Sequence, residues 1–297
     1  MLDSGAMPQN EFAARRAAFR ALHEEGCFVM PNPWDAGTAR YLRHLGFPAL
    51  ATTSAGVAFS RGLPDAAWAV DRDAMLAHIA EIVRAVDLPV NADFESGYAH
   101  APEEVAVNVA LCVETGVAGL SIEDATGDPE RPLYELALAV ERIRAAREAI
   151  DKSGADVLLT ARAECHLVGV ANAREEAIRR LCAYSEAGAD VLYAPGPRAL
   201  EMVREIVEAV RPKPVNILAA GVVDFTVADL VALGVRRIST GSALARAAWG
   251  GFLRAATQLG AEGRFDGFDG AAPFAELNRF FEGDRAGRKA ESEREAG

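Results

Sequence analysis

Three short stretches gather acids and an arginine in patterns that support chemistry. In "VNADFE" an extended backbone sets Asn91, Asp93 and Glu95 on one face, because side chains repeat with a period of two along a strand. "SIED" ends on Glu123 and Asp124, and "TARAECH" carries Arg162. Two or three oxygen ligands suit Mg2+ or Mn2+, whose octahedral shell is completed by water rather than by the protein. An arginine beside such a cation grips a carboxylate through two parallel hydrogen bonds. Thr52, Thr53, Ser54 and Gly56 in "TTSAG" and Asn216 in "PVNILA" add donors. The composite suits a 2-oxo acid: cation on its carboxylate and keto oxygens, arginine on its charge, hydroxyls for orientation, and an enolate stabilised.

Each piece also has a plainer reading. Glu123 or Asp124 caps the following segment, Arg162 is a structural ion-pair partner, and Asp35 in "NPWDAG" opens a helix. Asp65 in "GLPDAA" has a turn-former's neighbours. His100 and His166 are either polar loop residues or proton carriers, and Cys165 is packing or nucleophile. What favours the site is convergence, since acids and an arginine at three successive strand ends are improbable as independent accidents.

The elements that must position these residues follow from the hydrophobic pattern. Apolar runs "CFVM", "PALAT", "PVNADF", "AGLSIED", "DVLLTAR", "DVLYAP", "PVNILA" and "RRISTG" alternate with amphipathic segments such as "DRDAMLAHIAEIVRAVD" and "LYELALAVERIRAAREAIDKSG". Several segments end in Gly before a new apolar run, a helix stop followed by a buried strand. Eight such units without a GxGxxG fingerprint after the first strand predict an α/β fold, a (β/α)8 TIM barrel with a C-terminal helical extension from about residue 243. Its active site lies at the C-terminal strand ends, where Asp93, Glu123 and Arg162 fall. One domain over residues 11–283 is expected, with disordered tails at 1–10 and 284–297.

Composition narrows the function. The net charge of −12 argues against nucleic acid, and no window reaches membrane-span length. Four scattered cysteines without a CxxC pair, and no signal-peptide core, read as a reduced, cytoplasmic protein. Only Lys152, Lys213 and Lys289 are present, none at a C-terminal strand end, which excludes Schiff-base chemistry. "STGSAL" after the last strand is a weak phosphate-binding candidate.

On "NPWDAGTARYLRHLGFPALATTSAGVAFSRGLPD", "VNADFESGY", "GVAGLSIED" and "LLTARAE", the chain resembles the isocitrate lyase and phosphoenolpyruvate mutase superfamily over about residues 28–250. The resemblance implies a barrel that binds a 2-oxo acid or its enolate on Mg2+, assembled as a tetramer or dimer with C-terminal helices exchanged. It implies Asp93 and Glu123 as metal-shell carboxylates, Arg162 as the substrate arginine, and Thr53 and Ser54 as carboxylate donors. Asp65 matches an acid that approaches metal-bound waters. Two departures stand out. Asn91 occupies the first acid of a D-x-D, which weakens cation binding unless Glu95 compensates. The loop after Glu123, "DATGDPERPLYEL", lacks the lyases' K-K-C-G-H and the mutases' longer "EDK" loop.

The expectation is a Mg2+- or Mn2+-dependent carbon–carbon lyase acting on a small 2-oxo or hydroxy di-acid, decarboxylating an oxaloacetate-like acid through an enolate. Asn91, Asp93, Glu95 and Glu123 are its metal candidates, and Thr53, Ser54, Arg162 and Asn216 hold substrate. Arg162, Asp65 and His100 are the catalytic candidates, with Tyr98 and His166 as other proton carriers. The alternatives are a phosphonopyruvate-type hydrolase or phosphonomutase, and a barrel that binds a 2-oxo acid without turning it over.

Overall fold

The computed structural model describes residues 9–295. Eight parallel strands, β1 (Phe28–Met30), β2 (Leu50–Ala51), β3 (Val90–Asp93), β4 (Gly119–Glu123), β5 (Leu158–Arg162), β6 (Val191–Tyr193), β7 (Val215–Leu218) and β8 (Arg237–Ser239), pair in the order β1-β8-β7-β6-β5-β4-β3-β2. The Ala51 amide donates to the Pro31 carbonyl at 3.1 Å, so the β1–β2 seam nearly closes the barrel. Each of the eight expected runs contains one strand. The intervening helices are α1 (Gln9–Glu24), α2 (Ala36–His44), α3 (Ser54–Ser60), α4 (Arg72–Ala85), α5 (Pro102–Glu114), α6 (Leu136–Ser153), α7 (Ala173–Glu186), α8 (Leu200–Val210) and α9 (Val227–Ala232).

Strand parity divides the core. Ala92, Leu120, Ile122, Leu159, Ala161, Leu192, Ile217 and Ile238 join the large cluster between strands and helices. The alternate positions Asn91, Ser121, Thr160, Asn216, Arg237 and Ser239 are buried and polar. At the N-terminal end Phe19 of α1 packs with Phe28, Ala49, Ala118, Leu158 and Val191, closing the floor. Gly119 is required there, because a Cβ would come within 2.7 Å of both Asn91 Oδ1 and the Phe19 ring.

The described residues divide into two compact units, one ending at Leu244 and the other beginning at Ala245. The second unit holds nearly all of α10 (Ala243–Glu262) and the whole of α11 (Phe274–Glu295). Many of its large apolar side chains, including Trp249, Phe252, Leu253, Phe265 and Phe274, are exposed, so it builds little core of its own. The expected tail from residue 284 is helical to Glu295, since a polar run rich in Ala, Arg, Lys and Glu has high helix propensity. Likewise residues 9 and 10 open α1. The remainder of both expected tails, residues 1–8 and 296–297, lies outside the described residues. No helix among those described is long and apolar enough to cross a membrane.

Candidate active site

Asp93, Glu123 and Arg162 end β3, β4 and β5, and strand register sets Glu123 opposite Arg162. The Arg162 Nη1 lies 3.2 Å from Glu123 Oε2 and 3.6 Å from Asp93 Oδ1, while its Nε donates to Glu164. One guanidinium therefore faces three carboxylates. Burial opposes its charge, but Glu164, Glu123 and Asp93 hold it firmly protonated. The Tyr193 ring of β6 backs it, with the guanidinium carbon 5.2 Å from the ring centroid.

The acids are correspondingly strained in charge. Burial raises the Glu123 carboxyl well above its ordinary range; Arg162 pulls it down, and Glu164 and Asp93 push it up. Burial raises Glu164 as well. Asp65, in the exposed segment between α3 and α4, is raised by desolvation and then by Asp93, with Arg162 opposing.

Asp93 is held rigidly. Its Oδ2 accepts from the Ser54 amide at 2.9 Å and the Ser54 hydroxyl at 2.8 Å, and its amide donates to Thr52 Oγ1 at 2.9 Å. Ser54 therefore orients an acid, and Thr53 caps α3 by accepting from the Gly56 amide at 3.2 Å. Ser54 thus spends its amide and hydroxyl on Asp93, whereas the Thr53 cap uses only the acceptor side of its hydroxyl.

Four other candidates lie outside the Asp93, Glu123 and Arg162 cluster. Asn91 lies two residues below Asp93, with its Oδ1 buried and unpaired against Gly119. Asn216 is 1% exposed, accepting from Arg237 Nε and donating to Ser239 Oγ, both at 2.9 Å, so it serves the barrel interior. Glu95 leaves the strand face because β3 ends at Asp93 and the backbone turns to φ 44°. Its Oε2 accepts from the Trp68 amide at 2.8 Å and its Oε1 from the Tyr98 hydroxyl at 2.7 Å. Burial pushes its carboxyl up to about 7 against those two hydrogen bonds. His100 is exposed, its Nδ1 2.6 Å from the Tyr134 hydroxyl and its ring 4.9 Å from Trp68.

Two residues were not singled out from sequence. Glu164 continues the parity of Arg162 past the strand end, which was the available signal. Tyr193 offered none beyond its place at the end of the sixth run. The "STGSA" turn is already filled, because the Thr240 and Gly241 amides donate to Asn32 Oδ1 at 3.0 and 2.9 Å. The loop after β4 folds on itself through an Ala125–Leu133 bridge and a Thr126–Arg131 hydrogen bond.

Among the described residues, no three His, Cys, Asp or Glu side chains are gathered as a ready-made metal cage. Mg2+ asks for less, one or two carboxylates with the rest of its shell water. The mouth gathers three carboxyl groups as hard oxygen donors around a single arginine, and that donor set fits a divalent cation.

The sequence matches the phosphoenolpyruvate phosphomutase family over residues 19–260. It is 33% identical over 245 residues to 2-methylisocitrate lyase of Escherichia coli (strain K12), covering 78% of this chain and 81% of that protein. It is 28% identical over 236 residues to oxaloacetate decarboxylase of Paraburkholderia xenovorans (strain LB400), covering 77% and 75%. A crystal structure of a candidate lyase/mutase from Burkholderia cenocepacia J2315 superposes with a TM-score of 0.87 at 48% identity, covering 92% of this chain and 97% of that one. The chain belongs to the phosphoenolpyruvate phosphomutase family, within the phosphoenolpyruvate mutase/isocitrate lyase superfamily.

Proposed function

From that membership we propose a Mg2+-dependent carbon–carbon lyase that decarboxylates a small oxaloacetate-like 2-oxo di-acid. The observation that carries the reading is Arg162 ringed by Asp93, Glu123 and Glu164 at the barrel mouth. Mg2+ held by Asp93 and Glu123 would supply the positive charge that a developing enolate needs. Arg162 grips a substrate carboxylate, exchanging part of its contact with Glu123 for the ligand. Ser54 and Thr52 keep Asp93 fixed, so this acid itself need not reorient when substrate arrives. The carbon–carbon bond breaks, its electron pair moves onto the keto oxygen, CO2 leaves, and the enolate carbon takes a proton from water.

Decarboxylation is favoured over isocitrate-type cleavage because residues 124–135 contain no Lys, Cys or His to protonate a departing product. The relative that decarboxylates oxaloacetate supports the same choice. The exposed apolar side chains of α10 and α11 support a homo-oligomer, a tetramer or dimer that covers them.

Thermal unfolding of EDTA-stripped protein with oxalate, with and without Mg2+, tests the site, and pyruvate formation from oxaloacetate tests the reaction. At about a hundred times its dissociation constant, oxalate stabilises by about 2.7 kcal/mol. Stabilisation that needs Mg2+ and Asp93, together with pyruvate formation, is expected. Stabilisation without product moves the reading to a binding barrel, and phosphate release from phosphonopyruvate moves it to the phosphonate hydrolases.

A further inference from the structure

Four non-glycine residues among those described hold a left-handed backbone, and Trp68, Glu95 and Tyr98 are three of them. They meet at one place: Glu95 accepts from both of the others, and the Trp68 and Tyr98 rings stack at 6.5 Å. Such conformations are unfavourable and persist where the surroundings over-determine them, commonly beside functional sites. The arrangement joins a rigid platform to a second segment.

The platform is the turn after β3. Arg142 of α6, 1% exposed, donates to the Ala99 and His100 carbonyls at 2.6 Å, and Asn108 of α5 donates to Gly97 and Tyr98 carbonyls at 2.9 and 3.2 Å. The second segment is residues 61–71, whose first seven residues are exposed. It reaches the platform through the Trp68 amide on Glu95 and the Trp68 Nε1 on Ser96 Oγ at 3.0 Å. Asp65 lies three residues before Trp68 on this segment, with Asp93 and Arg162 acting on its charge.

We infer that Glu95 is a positioning residue rather than a metal ligand: it pins the 61–71 segment, which carries Asp65, through the Trp68 amide. The inference rests on reading that mouth as an oxo-acid site. Both carboxylate oxygens already accept, one from each segment, which leaves Glu95 committed before any cation arrives. It also explains why a carboxylate is needed, since a glutamine offers a single acceptor oxygen and would turn an N–H donor toward the other donor.

Glu95→Gln, Tyr98→Phe, Asp65→Asn and the Glu95→Gln/Asp65→Asn double variant separate the possibilities. Hydrogen exchange of amides 61–71 and Mn2+ affinity by calorimetry are read alongside oxaloacetate kcat and KM. In Glu95→Gln the Trp68 amide and its neighbours exchange about tenfold faster or more, with Mn2+ affinity and global midpoint unchanged. Tyr98→Phe gives a smaller acceleration in the same amides. Activity falls in kcat more than in KM, and the double variant matches Asp65→Asn within about twofold, because both changes remove the same contribution. Unaltered exchange with about tenfold weaker Mn2+ binding would show Glu95 to be a cation ligand and overturn the inference. Additive losses in the double variant would also overturn it. A wild type inert toward oxaloacetate refutes the reaction proposed above, while exchange and Mn2+ binding still decide the role of Glu95.

Discussion

Glu123 and Asp124 are adjacent in the chain, yet they belong to two arginine–carboxylate assemblies of opposite design. Asp124 turns outward to Arg180 of α7 at 3.0 Å and the Tyr184 hydroxyl at 2.5 Å, and its other oxygen accepts from the Glu164 amide at 2.8 Å. Arg180 also donates to Glu176 and to the Tyr134 carbonyl. Every group there has a partner, and both ends of the central pair are buried. Glu123 turns inward to Arg162, where carboxylates outnumber the cation. The closed assembly stabilises the barrel wall. The open one crowds three carboxyl groups around one guanidinium at the mouth, an arrangement that stability alone does not require.

Substitutions should separate the two by readout. The largest effect is expected from Asp93→Asn, which should lower oxaloacetate turnover by about 10²–10³-fold or more while the urea midpoint stays close to wild type. A large loss of stability with activity retained would invert the comparison. Asp124→Ala should do the reverse, costing about 3–5 kcal/mol in urea unfolding because Arg180 is left buried without its main partner. Glu164→Gln sharpens the contrast: relief of crowding with Glu123 and Asp93 should offset the lost pairing with Arg162 and hold stability within about 1 kcal/mol of wild type, whereas activity falls.

A third buried arginine extends the comparison. Arg237 has only neutral partners, Asn216, Thr160 and, at 3.5 Å, His23, and burial lowers it to about 9. Burial, followed by Arg237, lowers His23 to about 3 from an ordinary 6.5. The unfolded chain therefore binds the extra proton between those values, and stability should fall as pH drops through that window, by about 1.4 kcal/mol per pH unit. His78, lowered to about 4, adds a slope of the same sign over a narrower window. Urea unfolding of His23→Gln across pH 4–6 should show a shallower slope than wild type, and an unchanged slope would remove His23 from the account.

The sequence contained the barrel because alternation of apolar runs and amphipathic segments is a local property, and all eight expected runs carry strands. It also contained Asp93, Glu123 and Arg162, since each ends a strand and the period of two fixes the inward face. That rule fails once the strand ends. Glu95 shares the parity of Asp93 in the sequence, but a left-handed turn carries it to Trp68 and Tyr98. It also says nothing about height within the barrel, so Asn91 and Asn216 have the inward face but lie in the interior.

What the sequence by itself determined is therefore which strands form and which residues close them, because both depend on neighbours a few positions apart. Tertiary structure alone decided which polar groups remain available. Ser54 is committed to Asp93, Thr53 to the α3 cap and Glu95 to the 61–71 segment. Glu164, which shares the parity of Arg162 but was not singled out from the sequence, becomes the third acid at Arg162. Availability depends on which donors and acceptors the folded chain brings within about 3 Å, and those partners lie tens of residues away in sequence.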